Sequence, residues 1–171
     1  MNLFDQTIPV YTQMLNALSA MLDKGAEQGG GDDILNAMLA DDMHPLAVQI
    51  RFVCNMPGEA MQRLAGKGFT SREESETTVA AAQARIAEMV DYLATFSAGD
   101  LVAEDAPTEL KLGNGMEFTM SAAEYVRDWA MPQFYFHLTA AYAIMRHKGV
   151  ALGKADYVPY VSRYMTAGSM G

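Results

Sequence analysis

The sequence contains a single cysteine, Cys54, and no run of apolar residues long enough to cross a bilayer. A lone cysteine excludes an internal disulfide and any multi-cysteine zinc site within one chain, and it is typical of a reducing cytoplasm. A membrane-spanning helix needs about 20 consecutive apolar residues. The N-terminal stretch MNLFDQTIPVY lacks the basic start and apolar core of a secretory signal. We therefore expect a cytoplasmic protein without a membrane segment.

Basic residues are scarce, since 12 Lys and Arg stand against 21 Asp and Glu, for a formal net charge of −9. An acidic surface disfavours nucleic acids and anionic membranes as partners. Half of the 171 residues are apolar, which is enough to bury a core without disulfides. The 14 methionines fall mostly on helical core positions, where methionine is a flexible filler. The composition thus predicts one globular domain over residues 1–171.

Several segments have apolar residues at steps of three and four, which is typical of amphipathic helices. The first helix ends before the glycines at 29–31, and the second begins near Pro45. Ser71 and Glu74 have the spacing of a capping box, which predicts that the third helix begins there or a few residues later. Gly99 is predicted to close this helix.

Residues 108–120 change the apolar period from about 3.6 to 2, which indicates a small β-hairpin. A three-residue loop at 113–115 pairs Leu110 with Phe118 on one face of the hairpin. A two-residue turn would shift this register, so the longer loop is preferred. The hairpin is expected to lie over the helices.

The fourth helix is predicted from about Ala122 to Lys148, after a capping box formed by Ser121 and Glu124. Pro132 should bend it. Its apolar residues fill two adjoining stripes: Tyr125, Trp129, Phe136 and Ala143, then Val126, Ala130, Ala140 and Ile144. A tail of about 150–171 should pack its tyrosines on the helices. Together the elements predict an all-α, up-and-down four-helix bundle with a hairpin before the last helix.

His137 lies on the second stripe, one turn after Gln133, and is predicted to point into the bundle. It is either part of a ligand site or a core histidine whose nitrogens meet other polar groups. A helical metal site needs a second ligand at i+3 or i+4, but position 141 is alanine. His147 lies about 15 Å further along the axis. Gln49 of the second helix borders the core, and opposite His137 it would form a hydrogen bond.

The run MPQFYFHLTAAYAIMRHKGVALGKADYV, residues 131–158, resembles the C-terminal signature of an uncharacterised bacterial family in the DinB/YfiT-like metalloenzyme superfamily. The stretch PLAVQIRF, residues 45–52, and the hairpin are similar to this family as well. The resemblance implies a four-helix bundle. It also implies a divalent metal (Zn, Ni or Mn) held by one histidine of the second helix and two at i and i+4 of the last. Some members of the superfamily are metal-dependent thiol transferases.

Carried over residue by residue, the resemblance matches His137 to the first histidine of the late pair. Ala141 stands where the second histidine should be, and Gln49 stands near the position of the helix 2 histidine. Two of the three ligands are therefore replaced, which predicts a degenerate metal site. The remaining pocket is formed by His137, Gln133 and Gln49, with Trp129 or Tyr142 at its edge.

These patterns leave three hypotheses for function. In the first, the pocket around His137 binds a small molecule by hydrogen bonding. In the second, the protein is a metal-dependent transferase or hydrolase that uses replacement ligands such as His44, Glu76 or a residue of a second chain. In the third, it is a structural module in which unused apolar stripes form the face of a homodimer.

Overall fold

The structure, a computed structural model, describes residues 2–168. Three helices come first: α1 (Leu3–Gln28), α2 (Leu46–Ala65) and α3 (Val79–Leu93). The hairpin strands β1 (Pro107–Lys111) and β2 (Glu117–Ser121) lead into the long helix α4 (122–147), and the short α5 (Lys154–Tyr157) follows. Short 3₁₀ helices lie at Gly31–Asn36, Ala98–Asp100 and Pro159–Tyr164. The predicted four-helix bundle with one hairpin is confirmed; the end of the predicted tail, 169–171, lies outside the described residues.

The core lies where the four long helices face one another. Helix α2 packs against α3 and α4, and α1 packs against the same two helices from the other side. Tyr11 and Phe134 are among the largest fully buried side chains, and their ring centroids lie 4.8 Å apart, edge to face. None of the helices within residues 2–168 is long and apolar enough to cross a membrane.

The hairpin adopts the predicted register, with Leu110 opposite Phe118. The three-residue loop is confirmed, because the N–H of Leu112 donates to the carbonyl of Met116 at 2.9 Å. The capping box at the start of α4 is confirmed as well. Ser121 Oγ accepts from the backbone N–H of Glu124, and the Glu124 carboxylate accepts from that of Ser121. The hairpin is therefore joined rigidly to the first turn of α4.

Helix α4 begins with one α-helical turn, Ala122–Glu124, widens into a π-helical turn at Tyr125–Ala130, and continues as an α-helix over Met131–His147. Pro132 follows the wide turn, as expected for a residue without an N–H to donate. The extra residue rotates the inner face, so Phe134, Leu138 and Ala141 are fully buried. Phe136, predicted to face inwards, is 61% exposed; that prediction was wrong.

The connection between α2 and α3 contacts both helices, since Arg72 bonds to Asn55 of α2 and to Glu88 of α3. The predicted capping box at Ser71 is wrong, because the Ser71 hydroxyl donates to Glu59 of α2 at 2.5 Å. Helix α3 begins instead at Val79, where Thr78 Oγ1 accepts from the N–H of Ala81. The helix ends at Leu93, so Gly99 does not close it and lies in a separate 3₁₀ turn.

Candidate functional site

Two polar side chains, Gln49 of α2 and His137 of α4, meet at the seam between these helices. His137 Nδ1 lies 2.8 Å from Gln49 Oε1, and Gln49 is only 2% exposed. The ring centroid of His137 lies 4.5 Å from that of Phe52 and 5.1 Å from that of Phe136. The half-buried imidazole is thus held by one hydrogen bond and two aromatic rings.

The orientation of the Gln49 amide fixes which nitrogen of His137 carries the proton. Gln49 Nε2 donates to the backbone carbonyl of His44 at 3.3 Å, which leaves Oε1 as the acceptor that faces His137. His137 Nδ1 therefore donates, and Nε2 keeps its lone pair in the neutral ring. Burial lowers the pKa of His137, and the nearby His44 lowers it further. Both causes favour the neutral imidazole.

The residues at the positions implied by the metalloenzyme resemblance do not fit a divalent metal. Gln49 Oε1 already accepts the N–H of His137, and Ala141 has no side-chain donor atom. Of the suggested replacements within the chain, Glu76 is paired with an arginine at 3.5 Å, and the His44 ring packs on Phe52, with centroids 5.6 Å apart. Across residues 2–168, no three His, Cys, Asp or Glu side chains lie close enough together to hold a metal ion.

A cleft of about 540 Å³ lies one turn away, between α2, the hairpin and the first half of α4. The predicted residues Trp129 and Gln133 line it. Gln133 also lines a smaller hollow together with Phe136, whose ring contacts His137. Neither the Gln133 amide nor the Trp129 indole N–H bonds to another residue of the described chain, so both are available to a ligand. The volume of the cleft is within the usual range for small-molecule sites.

Two charged residues of α2, Glu59 and Arg63, line the same cleft, and sequence reasoning missed them. Arg63 donates to the backbone carbonyl of Glu59 at 2.9 Å, and its guanidinium carbon lies 5.7 Å from the ring centroid of Tyr125. The Glu59 carboxylate accepts from Ser71. Their spacing of four places both side chains on one helix face, but only the packing of the hairpin makes that face a cleft.

The remaining predicted residue, Tyr142, lies elsewhere. Its ring centroid is 5.7 Å from that of Tyr157, whose hydroxyl lies 3.0 Å from Thr139 Oγ1. A separate hollow of about 210 Å³ forms there. The structure thus brings Gln49 and His137 into contact and places Trp129 and Gln133 in the neighbouring cleft. It does not bring Tyr142 to either place.

The bundle, with its hairpin and its seam between α2 and α4, is that of a DinB-like protein. A crystal structure described as a DinB family member protein from Shewanella denitrificans superposes with a TM-score of 0.80. It is 35% identical in sequence, and the match covers 91% of each chain. The chain belongs to the family described as Domain of unknown function (DUF1993), whose model matches residues 3–158. A comparison with curated proteins finds no match.

Proposed function

We propose that this protein binds a small organic molecule in the cleft between α2, the hairpin and α4. The observation that carries the proposal is the cleft itself, about 540 Å³ in volume, with Trp129 and Gln133 on its wall. Gln133 supplies an amide that can donate and accept, and Trp129 supplies a flat apolar surface. The neighbouring pair of Gln49 and His137 holds α4 in place against α2. The lone buried Cys54 supports a reducing, cytoplasmic location for this activity.

The test is a screen of a metabolite library by thermal unfolding and by the fluorescence of Trp129, the only tryptophan of the chain. A ligand present at about 100 times its Kd should stabilise the fold by about 2.7 kcal/mol. Binding in the cleft should also shift the emission of Trp129. Gln133→Ala should weaken such a ligand, whereas Gln13→Ala, on α1 and outside the cleft, should not. A ligand that stabilises the protein without any effect from Gln133→Ala would place its site elsewhere.

A second candidate function, self-association, is favoured by the exposed ring of Phe136. It stands beside an apolar hollow of about 450 Å³ formed with Leu39, Met43 and Ala140 among others. The side chains that line this hollow are uncharged. Because each chain has a net charge of −9, two copies would meet with the least electrostatic repulsion at an uncharged surface. We propose a homodimer through this surface.

Sedimentation equilibrium tests the dimer. Phe136→Ser should convert a dimer to a monomer, because the largest exposed apolar side chain of the face is removed. Val161→Ser, which alters another exposed apolar side chain, is the matched control and should leave the mass unchanged. A parent protein that is monomeric at all concentrations would defeat the proposal.

A further inference from the structure

The charges of the cleft indicate which class of small molecule it takes. Arg63 is half-buried, and no carboxylate of the described residues lies within ion-pair distance of its guanidinium. One of its N–H groups donates to the carbonyl of Glu59, and the guanidinium also interacts with the hydroxyl of Tyr125. The guanidinium has five N–H groups, so others remain for a ligand. A cation in the last turn of α2 is favoured by the helix dipole. The dipole does not explain why the guanidinium lies inside the cleft against the ring of Tyr125.

Glu59 supplies the opposite charge one helical turn away. Its Oε1 accepts from the Ser71 hydroxyl at 2.5 Å, while its Oε2 forms no hydrogen bond with any other residue between 2 and 168. The Ser71 bond fixes the carboxylate and leaves one oxygen for a donor. The cleft therefore presents a positive and a negative group that are not paired with each other. A ligand with a single charge would satisfy one of them and be repelled by the other.

The remaining wall of the cleft is mixed. Gln62, Glu73 and Lys111 contribute polar side chains, of which Lys111 is paired with Glu117 at 3.4 Å, and the rest of this wall is largely apolar. It includes Met56, Leu110 and the indole of Trp129, and the Trp129 ring is supported from behind by Phe118, with centroids 6.0 Å apart. An apolar group of a ligand would be removed from water here. Three features thus lie in one cavity: an unpaired cation, a carboxylate with a free oxygen, and an aromatic surface.

We infer that the cleft binds a zwitterion of the amino-acid class. The ligand carboxylate bonds to Arg63, its ammonium group bonds to Glu59, and its apolar side chain packs on Trp129. A guanidinium can bind a carboxylate through two parallel hydrogen bonds, which are stronger than neutral ones and fix the orientation of the ligand. This inference rests on the proposed small-molecule function and adds the chemistry of the ligand.

The probe is L-phenylalanine, compared on the parent protein with two analogues that each lack one charge. Phenylalaninamide lacks the carboxylate, and 3-phenylpropionate lacks the ammonium group. Trp129 emission, excited where phenylalanine does not absorb, reports binding. We expect L-phenylalanine to shift the emission in a saturable way and each analogue to bind about tenfold more weakly or worse, since each loses a charged hydrogen bond.

Variants then assign each contact. Arg63→Gln should weaken L-phenylalanine and 3-phenylpropionate by about tenfold or more. Phenylalaninamide should bind this variant at least as tightly as the parent, because its ammonium group is no longer repelled by the guanidinium. Glu59→Gln should weaken L-phenylalanine and phenylalaninamide but not 3-phenylpropionate. Arg127→Gln is the matched control, because Arg127 is exposed, paired with Asp128 and outside the cleft. It should bind all three probes as the parent does.

The inference is overturned if L-phenylalanine does not bind, if its amide binds equally well, or if Arg63→Gln and Arg127→Gln behave alike. The analogues act on the parent protein, so an unfolded variant does not prevent the test. Failure here differs from failure of the proposed function. Suppose that L-phenylalanine has no effect, but a library ligand of other chemistry shifts the emission of Trp129 and binds Gln133→Ala more weakly. That result would contradict the zwitterion inference and still support the proposed small-molecule function.

Discussion

His137 Nδ1 and Gln49 Oε1 form a hydrogen bond 2.8 Å long that joins α4 to α2 across the bundle. The Gln49 amide also donates through Nε2 to the carbonyl of His44. Its oxygen therefore bonds to α4, and its nitrogen bonds to the segment that precedes α2. The imidazole is fixed in one tautomer with Nδ1 protonated. One buried amide thus determines both the orientation and the chemistry of the histidine.

Loss of this bond should cost stability. Gln49→Met leaves the His137 N–H without its acceptor, and we expect unfolding to become easier by about 1–2 kcal/mol. His137→Leu should cost a similar amount, because the Gln49 oxygen is then unsatisfied. The double variant should lose less than the sum of the two, since neither polar group remains. Urea unfolding of all four proteins measures the coupling; strictly additive losses would contradict it.

The pKa of His137 predicts a pH dependence of folding. Burial, with His44 as the second cause, lowers this pKa below the ordinary value of 6.5. The unfolded chain therefore binds the proton before the folded chain does, and stability rises with pH in that interval. The contribution is complete above pH 6.5 and is lost as the pH falls through the folded pKa.

Urea midpoints measured on both sides of pH 6.5 test this direction, and the NMR shift of the His137 ring proton reports the folded pKa itself. His137→Leu should remove this part of the pH dependence, while His147→Gln serves as the control at an exposed histidine. A His137 titration above 6.5 would contradict the prediction.

Asn55 should be essential for the connection between α2 and α3. Its Oδ1 accepts from the N–H of Arg72 at 3.2 Å and from buried Arg85 at 2.8 Å, and its Nδ2 donates to the Arg72 carbonyl at 2.9 Å. Asn55→Leu leaves an N–H of Arg85 and the backbone N–H and carbonyl of Arg72 without these partners, although Arg85 keeps its ion pair with Glu88 at 3.6 Å, and we expect a cost of about 1–3 kcal/mol. Asn55→Asp keeps the acceptors and should cost less.

Limited trypsin digestion provides a second measurement, since Arg72 is itself a cleavage site. Cleavage after Arg72 should accelerate in Asn55→Leu before the bundle as a whole unfolds. Equal cleavage rates in Asn55→Leu and the parent would argue against this role.

Cys54 should be unreactive in the folded protein. Burial raises the pKa of its thiol to about 12, and only the thiolate is a good nucleophile. Ellman's reagent should therefore release almost no colour from the native protein at mildly alkaline pH and one equivalent after denaturation in urea. Rapid reaction without denaturant would show that this part of α2 opens readily.

The elements that could be predicted from the sequence are those fixed by local interactions. The hairpin register follows from alternation on both sides of a short loop, as the pairing of Leu110 with Phe118 confirms. The capping box of Ser121 and Glu124 needs only four consecutive residues. The long C-terminal run, residues 131–158, also predicts membership of the uncharacterised DinB-like family. The family match over residues 3–158 confirms this prediction.

Predictions that depended on distant partners were less successful. Ser71 has the same local pattern as Ser121, but Glu59 competes for its hydroxyl, and nothing in the sequence near Ser71 reveals this. A constant helical period places Phe136 on the inner face, but the π-helical turn changes the register of α4 and leaves this side chain exposed. Arg63 resembles any surface arginine until the hairpin is placed beside it.

Because of the π-helical turn at Tyr125–Ala130, the side chains before this turn and those after it follow different angular registers around the axis of α4. Deleting one residue there would restore an ordinary helix, but it would rotate everything before it by about 100° relative to His137. Trp129 would turn away from the cleft, and the hairpin would move with it. Because of one additional residue, the first part of α4 packs beside the hairpin while its later part packs against α2.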